Sequence, residues 1–265
     1  MKTFLKILII GVLSTAFRIF GQMLIPNSAQ TVLQPSVFVR NGTMPIAFSL
    51  YGILVYSIIA AMFLLVCGGM SGNKLIKGLK YGLACAVVWG VYLLEPLPHV
   101  TTLVDKLSYP IVDGVALLWM GLLTGLFLGR TTAPERKPFQ ITKAGISVAI
   151  IAVLFTCGRL FQYLVLHIYS SFDAKMFETI LWSVLTGLAI GAVLLWLNQY
   201  AHSRSRIQRS AILGILLFGI NLLLFNFFVP LALDADVLDL LSRTVVDLIF
   251  VTAGTLFIPR RENIV

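Results

Sequence analysis

The sequence predicts an all-α, polytopic membrane protein of about eight transmembrane helices, built as two parallel four-helix repeats. Three observations predict it. First, 58% of the 265 residues are hydrophobic and 12% are charged, about half the charged share of an ordinary globular domain. The mean hydropathy is +0.95, and a soluble exterior cannot be covered from so little polar material. Second, the apolar residues form long continuous runs instead of alternating, which is the pattern of spanning helices and not of barrel strands. Third, a segment near the start of the chain recurs in its middle. The composition excludes a soluble enzyme, a disordered chain and a nucleic-acid-binding domain. The net charge of +9 reads as membrane topology, because cytoplasmic loops collect Lys and Arg.

A spanning helix needs roughly 20 mostly apolar residues. Eight runs qualify: 4–26, 46–69, 81–100, 109–129, 144–168, 176–198, 210–232 and 241–258. The first opens on Lys2 and Lys6 and resembles a signal peptide up to Ala16. Its apolar run continues through Arg18 to Pro26, however, and it has a counterpart in mid-chain, so it is read as retained. The sixth carries Gly187 and Gly191 at the four-residue spacing of close helix contacts. The eighth is short and fits with little tilt or local thinning of the bilayer. Counting Lys2, Lys6, Lys74, Lys77, Lys80, Arg130, Arg136, Lys137, Lys143, Arg204, Arg206, Arg209, Arg260 and Arg261, one side of the membrane holds 14 of the 20 basic residues. Arg40, Lys106, Lys175 and Arg243 lie on the other. This predicts an integral protein of the plasma (inner) membrane with both termini in the cytoplasm.

The repeat is clearest between IIGVLSTAFRIF (9–20) and IIAVLFTCGRLF (150–161), where seven of twelve positions are identical at an offset of 141. One of these is Arg18 with Arg159, and charges inside spans are rare. The fourth and eighth spans share PIVD (110–113) with TVVD (244–247), pairing Asp113 with Asp247. The third and seventh match through Gly82 with Gly214 and Pro98 with Pro230. The organisation expected is a first repeat at 1–135 and a second at 136–265, joined by the basic linker RTTAPERKPFQITK. An even number of spans per half makes the repeats parallel.

Arg18 lies twelve residues after Lys6, roughly 18 Å into the bilayer, and Arg159 sixteen residues after Lys143, about 24 Å in. Asp113 and Asp247 enter from the outside, as do Glu95 and Glu178 near span ends. All six therefore fall in the outer half. An unpaired buried charge is expensive, so each needs a partner or water. The repeat pairs Arg18 with Asp113 and Arg159 with Asp247, although crossed pairs fit the sequence equally well. Gln22, Gln162 and Tyr163 share helix faces with the arginines, and Asn221 and Asn226 are candidates to join them. Structurally, such pairs fix helix packing. Functionally, they line a polar cavity that grips an anionic group.

Other chemistry is sparse. Cys67, Cys85 and Cys157 lack metal-ligand spacing, His99 and His167 resemble no dedicated site, and no phosphate-binding loop, zinc-protease or nucleophile-elbow motif occurs. No cofactor and no metal are expected, and catalysis is not favoured. The expected partners are the lipid bilayer, a small-molecule ligand and a partner subunit, with no nucleic acid. The leading expectation is a transporter or permease component for a small anionic or zwitterionic molecule. In it, Arg18, Arg159, Asp113, Asp247, Gln22 and Gln162 form the substrate or ion-pair site between the halves. The alternatives are an accessory, regulatory or lipid-headgroup-binding membrane protein without transport and, last, an intramembrane enzyme acting on lipid. A water-filled cavity reaching both arginines favours transport, dry and fully paired contacts favour the accessory class, and a groove open sideways to lipid favours the enzyme.

Overall fold

The computed structural model describes residues 2–25, 32–100, 102–131, 141–201, 203 and 205–259, with the side chains of 141–144 also left aside. Gln30, most of the basic linker with the 135/136 boundary, His202, Arg204, Arg260 and Arg261 lie outside the described residues. The long helices are α1 (Thr3–Gln22), α3 (Met44–Met62), α4 (Lys74–Tyr92), α5 (Leu103–Leu128), α6 (Ile141–Leu164), α7 (Met176–Asn198) and α11 (Val237–Thr255). The short α2 (Val37–Arg40) lies between α1 and α3. Between α7 and α11 runs a compound helix of α8 (Arg206–Ser210), a π-helical stretch Ala211–Ile220, α9 (Asn221–Asn226) and α10 (Val229–Ala232). Among the described residues there is no strand, only an isolated bridge between Pro35 and Leu233.

Seven of these helices are long and apolar enough to cross a membrane, the compound helix counting as one over Arg206–Ala232. The protein is therefore a polytopic helical membrane protein. The remaining long helix, α11, has 19 residues but carries Asp239, Arg243 and Asp247, and this sets it apart from the other seven.

Local sequence explains the helix ends. Asn73 accepts the Ile76 amide and starts α4. Thr102 and Asp105 form a reciprocal cap at α5, and Asp236 accepts the Leu238 and Asp239 amides at α11. Such caps satisfy amides that lack a helical partner. The Asn73 cap shifts the third span from the expected 81–100 to Lys74–Tyr92. Lys74, Lys77 and Lys80 therefore sit on the first turns of α4 and not in the preceding loop.

Small residues set the closest approaches. Gly78 and Gly82 of α4 face Gly121 and Gly125 of α5 so tightly that a Cβ on any of them would run into facing backbone. A Cβ at Gly187 of α7 would stand 2.7 Å from the Ala152 Cα of α6. Small residues let helix backbones gain dispersion contact where lipid supplies no hydrophobic drive. Among the first four long helices, α1 packs on α3 and α5, and α4 on α5. Among the later ones, α6 packs on α7 and α11, and the compound helix on α11. The two sets meet where the Trp182 indole donates to the Val91 carbonyl at 2.8 Å and the Tyr51 hydroxyl to the Leu224 carbonyl at 2.7 Å. Lys74, Arg206 and the start of α1 mark one end of the bundle, called the basic end below. The buried ion pairs gather toward the far end, whereas the buried Lys77 and Arg209 belong to the basic end.

Candidate functional site, two buried arginine clusters

Arg18 lies one turn before the end of α1, and Asp113 lies on α5, the helix packed beside it. Their side chains pair in a fork: Nε donates to Oδ1 and Nη2 to Oδ2, both at 2.7 Å. The two residues are 3% and 1% exposed. Bidentate geometry of this kind is the strong form of an ion pair. The Trp89 indole of α4 adds a hydrogen bond to Asp113 Oδ2 at 2.9 Å. Phe228, Phe225 and Phe48 cover the guanidinium, the Phe228 ring centroid lying 3.9 Å from Cζ. Arg18 Nη1 has no hydrogen-bond partner among the described residues.

Arg159 of α6 and Asp247 of α11 form the second cluster, both fully buried. Arg159 Nη2 donates to Asp247 Oδ2 at 2.7 Å, and its Nη1 reaches both oxygens of Glu95 at 3.1 and 3.2 Å. Asp247 also accepts from Gln162 Nε2 at 2.7 Å and from the Tyr92 hydroxyl at 2.8 Å. Glu95 accepts from the Tyr163 hydroxyl at 2.9 Å and from Arg243 Nη1. Arg243 donates in turn to the Tyr169 carbonyl and lies 3.9 Å from Asp239. Tyr92, Trp182 and Phe155 pack around the Arg159 guanidinium. Among the described residues Arg159 Nε, Gln162 Oε1 and Arg243 Nε find no hydrogen-bond partner.

One helix joins the clusters. Trp89 and Tyr92 lie one turn apart on α4 with their rings stacked at 5.8 Å; Trp89 serves Asp113 and Tyr92 serves Asp247. Inside low-dielectric surroundings these bonds cost much if broken.

Both pairings expected from the repeat, Arg18 with Asp113 and Arg159 with Asp247, are present, and neither is crossed. Gln162 joins its cluster. Gln22 is half-buried one turn beyond Arg18. Asn221 bonds back to the Leu217 carbonyl and Asn226 to Thr244 in place of an arginine. Glu178 is exposed. Arg243, expected only as a basic residue of the outer side at the start of the eighth span, is 5% exposed and inside the second cluster. The signal was in the sequence: Asp239, Arg243 and Asp247 are spaced four apart and share one face of α11. Trp89 and Tyr92 were missed as well. Aromatic residues are common in membrane helices, and nothing in their spacing identifies the acid each will meet.

Two cavities bear on what this arrangement can do. One of about 30 Å³ lies between α4, α7 and the compound helix, lined by Tyr81, Cys85, Trp89, Leu217, Asn221 and Phe225 among others. The other, of about 440 Å³, opens at the basic end. Neither is lined by Arg18, Asp113, Arg159, Asp247 or Glu95. Among the described residues, no group of three or more His, Cys, Asp or Glu side chains is placed to hold a metal ion. Cys67, Cys85 and Cys157 are free thiols. The chain matches no protein-family model, no curated protein and no solved structure, so the chemistry of the two clusters is the ground on which a role can be assigned.

Proposed function

We propose that this chain is a membrane-embedded accessory, regulatory or lipid-headgroup-binding protein, in which the arginine clusters lock two helical halves together instead of carrying a solute. One observation carries the reading. Each buried carboxylate of the clusters is bonded to a guanidinium and to an aromatic N–H or O–H, under aromatic rings, with neither cavity lined by the pairs. Solute pathways need charges that water or a ligand can reach, whereas packing elements need charges that are neutralised.

The reading includes α11 as an eighth span, its charges compensated by Arg159, Glu95 and each other. It also includes duplication. Helix contacts run first-to-second, first-to-fourth and third-to-fourth in both halves. The halves meet through α3 with α9 and α4 with α7, a reciprocal pattern that suits a two-fold axis along the membrane normal. The basic end is assigned to the cytoplasm by the positive-inside bias, which puts both termini there and the clusters in the outer half.

A second reading is favoured by a specific observation: among the described residues Arg18 Nη1, Arg159 Nε and Gln162 Oε1 have unused hydrogen-bonding capacity. A transporter or permease component, closed on its outer side, would spend that capacity on a small anionic or zwitterionic substrate once the halves rock apart.

The double substitution Arg18→Met with Asp113→Leu separates the two. Replacing a buried ion pair by apolar residues of similar volume is often neutral or stabilising, whereas removing one partner is not. The lock reading expects the double variant to keep its thermal stability in detergent while Arg18→Met alone loses it. It also expects the wild-type protein, reconstituted in liposomes, to accumulate no acetate, succinate or inorganic phosphate beyond empty vesicles. Uptake of any of these that disappears in the double variant would establish the transport reading instead.

A further inference from the structure

The cavity of about 440 Å³ at the basic end lies within the first four long helices, between the start of α1, the segment just after α3, the start of α4 and the end of α5. Its wall carries Lys6, Lys77 and Arg130, together with Thr3, Gly68 and Cys67, and no acidic side chain lines it among the described residues. Lys77 is 1% exposed, so this basic group is built into the wall and does not wave in solvent. Lys6 is half-buried and Arg130 exposed at the rim. The N-termini of α1 and α4 both end here and add positive dipole ends. The C-terminus of α5 opposes them, with Arg130 just beyond it. The remaining wall is apolar: Leu64, Phe127 and Leu128. Leu64 is 45% exposed, so the apolar wall continues onto the lipid-facing surface of the bundle.

A basic recess between helices, apolar on one flank and open toward the bilayer, is the shape that holds a phospholipid headgroup with its glycerol and first acyl carbons. We propose that this cavity binds the phosphate of an anionic phospholipid from the adjacent leaflet. Lys77 acts as the buried point charge, and Lys6 and Arg130 close over the phosphate from either side. Lysine binds phosphate as a point charge and arginine as a planar fork, so the three together suit a single phosphodiester. The site is separate from the arginine clusters and holds under either reading of them.

The test uses the full chain in a mild zwitterionic detergent, with lipid binding read by native mass spectrometry and thermal shift. The probes are dioleoyl phosphatidylglycerol, dioleoyl phosphatidylcholine, glycerol 3-phosphate and inorganic phosphate. Phosphatidylglycerol is expected to bind and raise the unfolding temperature, with phosphatidylcholine far weaker. The double variant Lys6→Gln with Arg130→Gln removes the two accessible charges and leaves Lys77 to the fold. It is expected to bind phosphatidylglycerol about thirtyfold more weakly at unchanged intrinsic stability. The control Arg18→Met with Asp113→Leu should bind as wild type does. Equal binding of the two lipids, or undiminished phosphatidylglycerol binding by the Lys6 and Arg130 variant, overturns the site. Glycerol 3-phosphate or inorganic phosphate producing the full shift without lipid overturns the lipid as its source.

Discussion

The two arginine clusters begin from the same pair and end as different objects. Arg18 has one carboxylate, Asp113, held by a fork of two bonds, and the rest of its surroundings is mostly ring faces. Arg159 has two, Asp247 and Glu95, and the second of these is shared with Arg243. Glu95 follows α4 in the first half of the chain, so the second cluster is a tie across the halves. The first cluster crosses too, but through Phe225 and Phe228 and not through charge. The same Arg–Asp pairing is thus embedded once among aromatic rings and once in a charge network. Where charge can be redistributed, losing one group leaves others to compensate. Where it cannot, the loss is felt in full.

That contrast orders the effects of mutation. Asp113→Ala leaves Arg18 buried with no carboxylate at all, and should cost about 3–5 kcal/mol in unfolding measurements in detergent. Asp247→Ala leaves Arg159 still bonded to Glu95 and should cost measurably less. Adding Arg18→Met to Asp113→Ala should recover most of the loss, because the uncompensated charge goes with it. Equal losses at Asp113 and Asp247 would mean that Glu95 does not compensate, and the comparison would collapse.

The aromatic donors of α4 give a smaller effect with the same asymmetry. Trp89→Phe removes a hydrogen bond from a carboxylate whose other partner among the described residues is Arg18. Tyr92→Phe removes one from Asp247, which keeps Arg159 and Gln162. Hydrogen bonds to charged groups contribute about 1.5–3 kcal/mol, so Trp89→Phe should fall toward the upper end and Tyr92→Phe toward the lower. The reverse order, measured by the same unfolding experiment, would show that ring packing outweighs the bonds.

The membrane class was legible from composition, because no soluble surface can be made from this chain. The Arg18–Asp113 and Arg159–Asp247 pairs were legible because a charge inside an apolar run stands out and each recurs later in the chain, Arg18 with Arg159 at an offset of 141 and Asp113 with Asp247 at 134. Glu95 and Arg243 were harder. They stand at the edges of apolar runs, where a charge can equally reach water or headgroups, and only tertiary packing turns them inward. The Asn73 cap also shows why the third span was placed late: a side-chain cap lets the helix begin ahead of the apolar run, on the turns that carry the three lysines. The cavity at the basic end was not legible at all. Its walls come from four separate helices, and its lysines look in sequence like any topology signal.

The smallest effect lies at the border of the second cluster. His99, in the loop after α4, stacks on Tyr169 at 5.8 Å, and its Nδ1 lies 3.1 Å from the Tyr169 hydroxyl. Burial pushes its imidazole below the ordinary value of 6.5, and Arg243 reinforces this, while Asp105 and Glu95 pull the other way. The folded protein therefore favours neutral His99. The unfolded chain takes up a proton first as pH falls, so the stability His99 contributes is complete above about pH 6.5 and is lost below it. Among the described residues no histidine bonds to the Arg18–Asp113 pair, so the dependence belongs to one side of the comparison. Thermal unfolding between pH 7.5 and 5.5, wild type against His99→Gln, isolates it by subtraction, because every other titrating group is common to both. The wild type should lose more than the variant, by no more than about 4 °C. Parallel curves would mean that the loop opens to water and that the second cluster is less sealed on this flank than the burial of Glu95 implies.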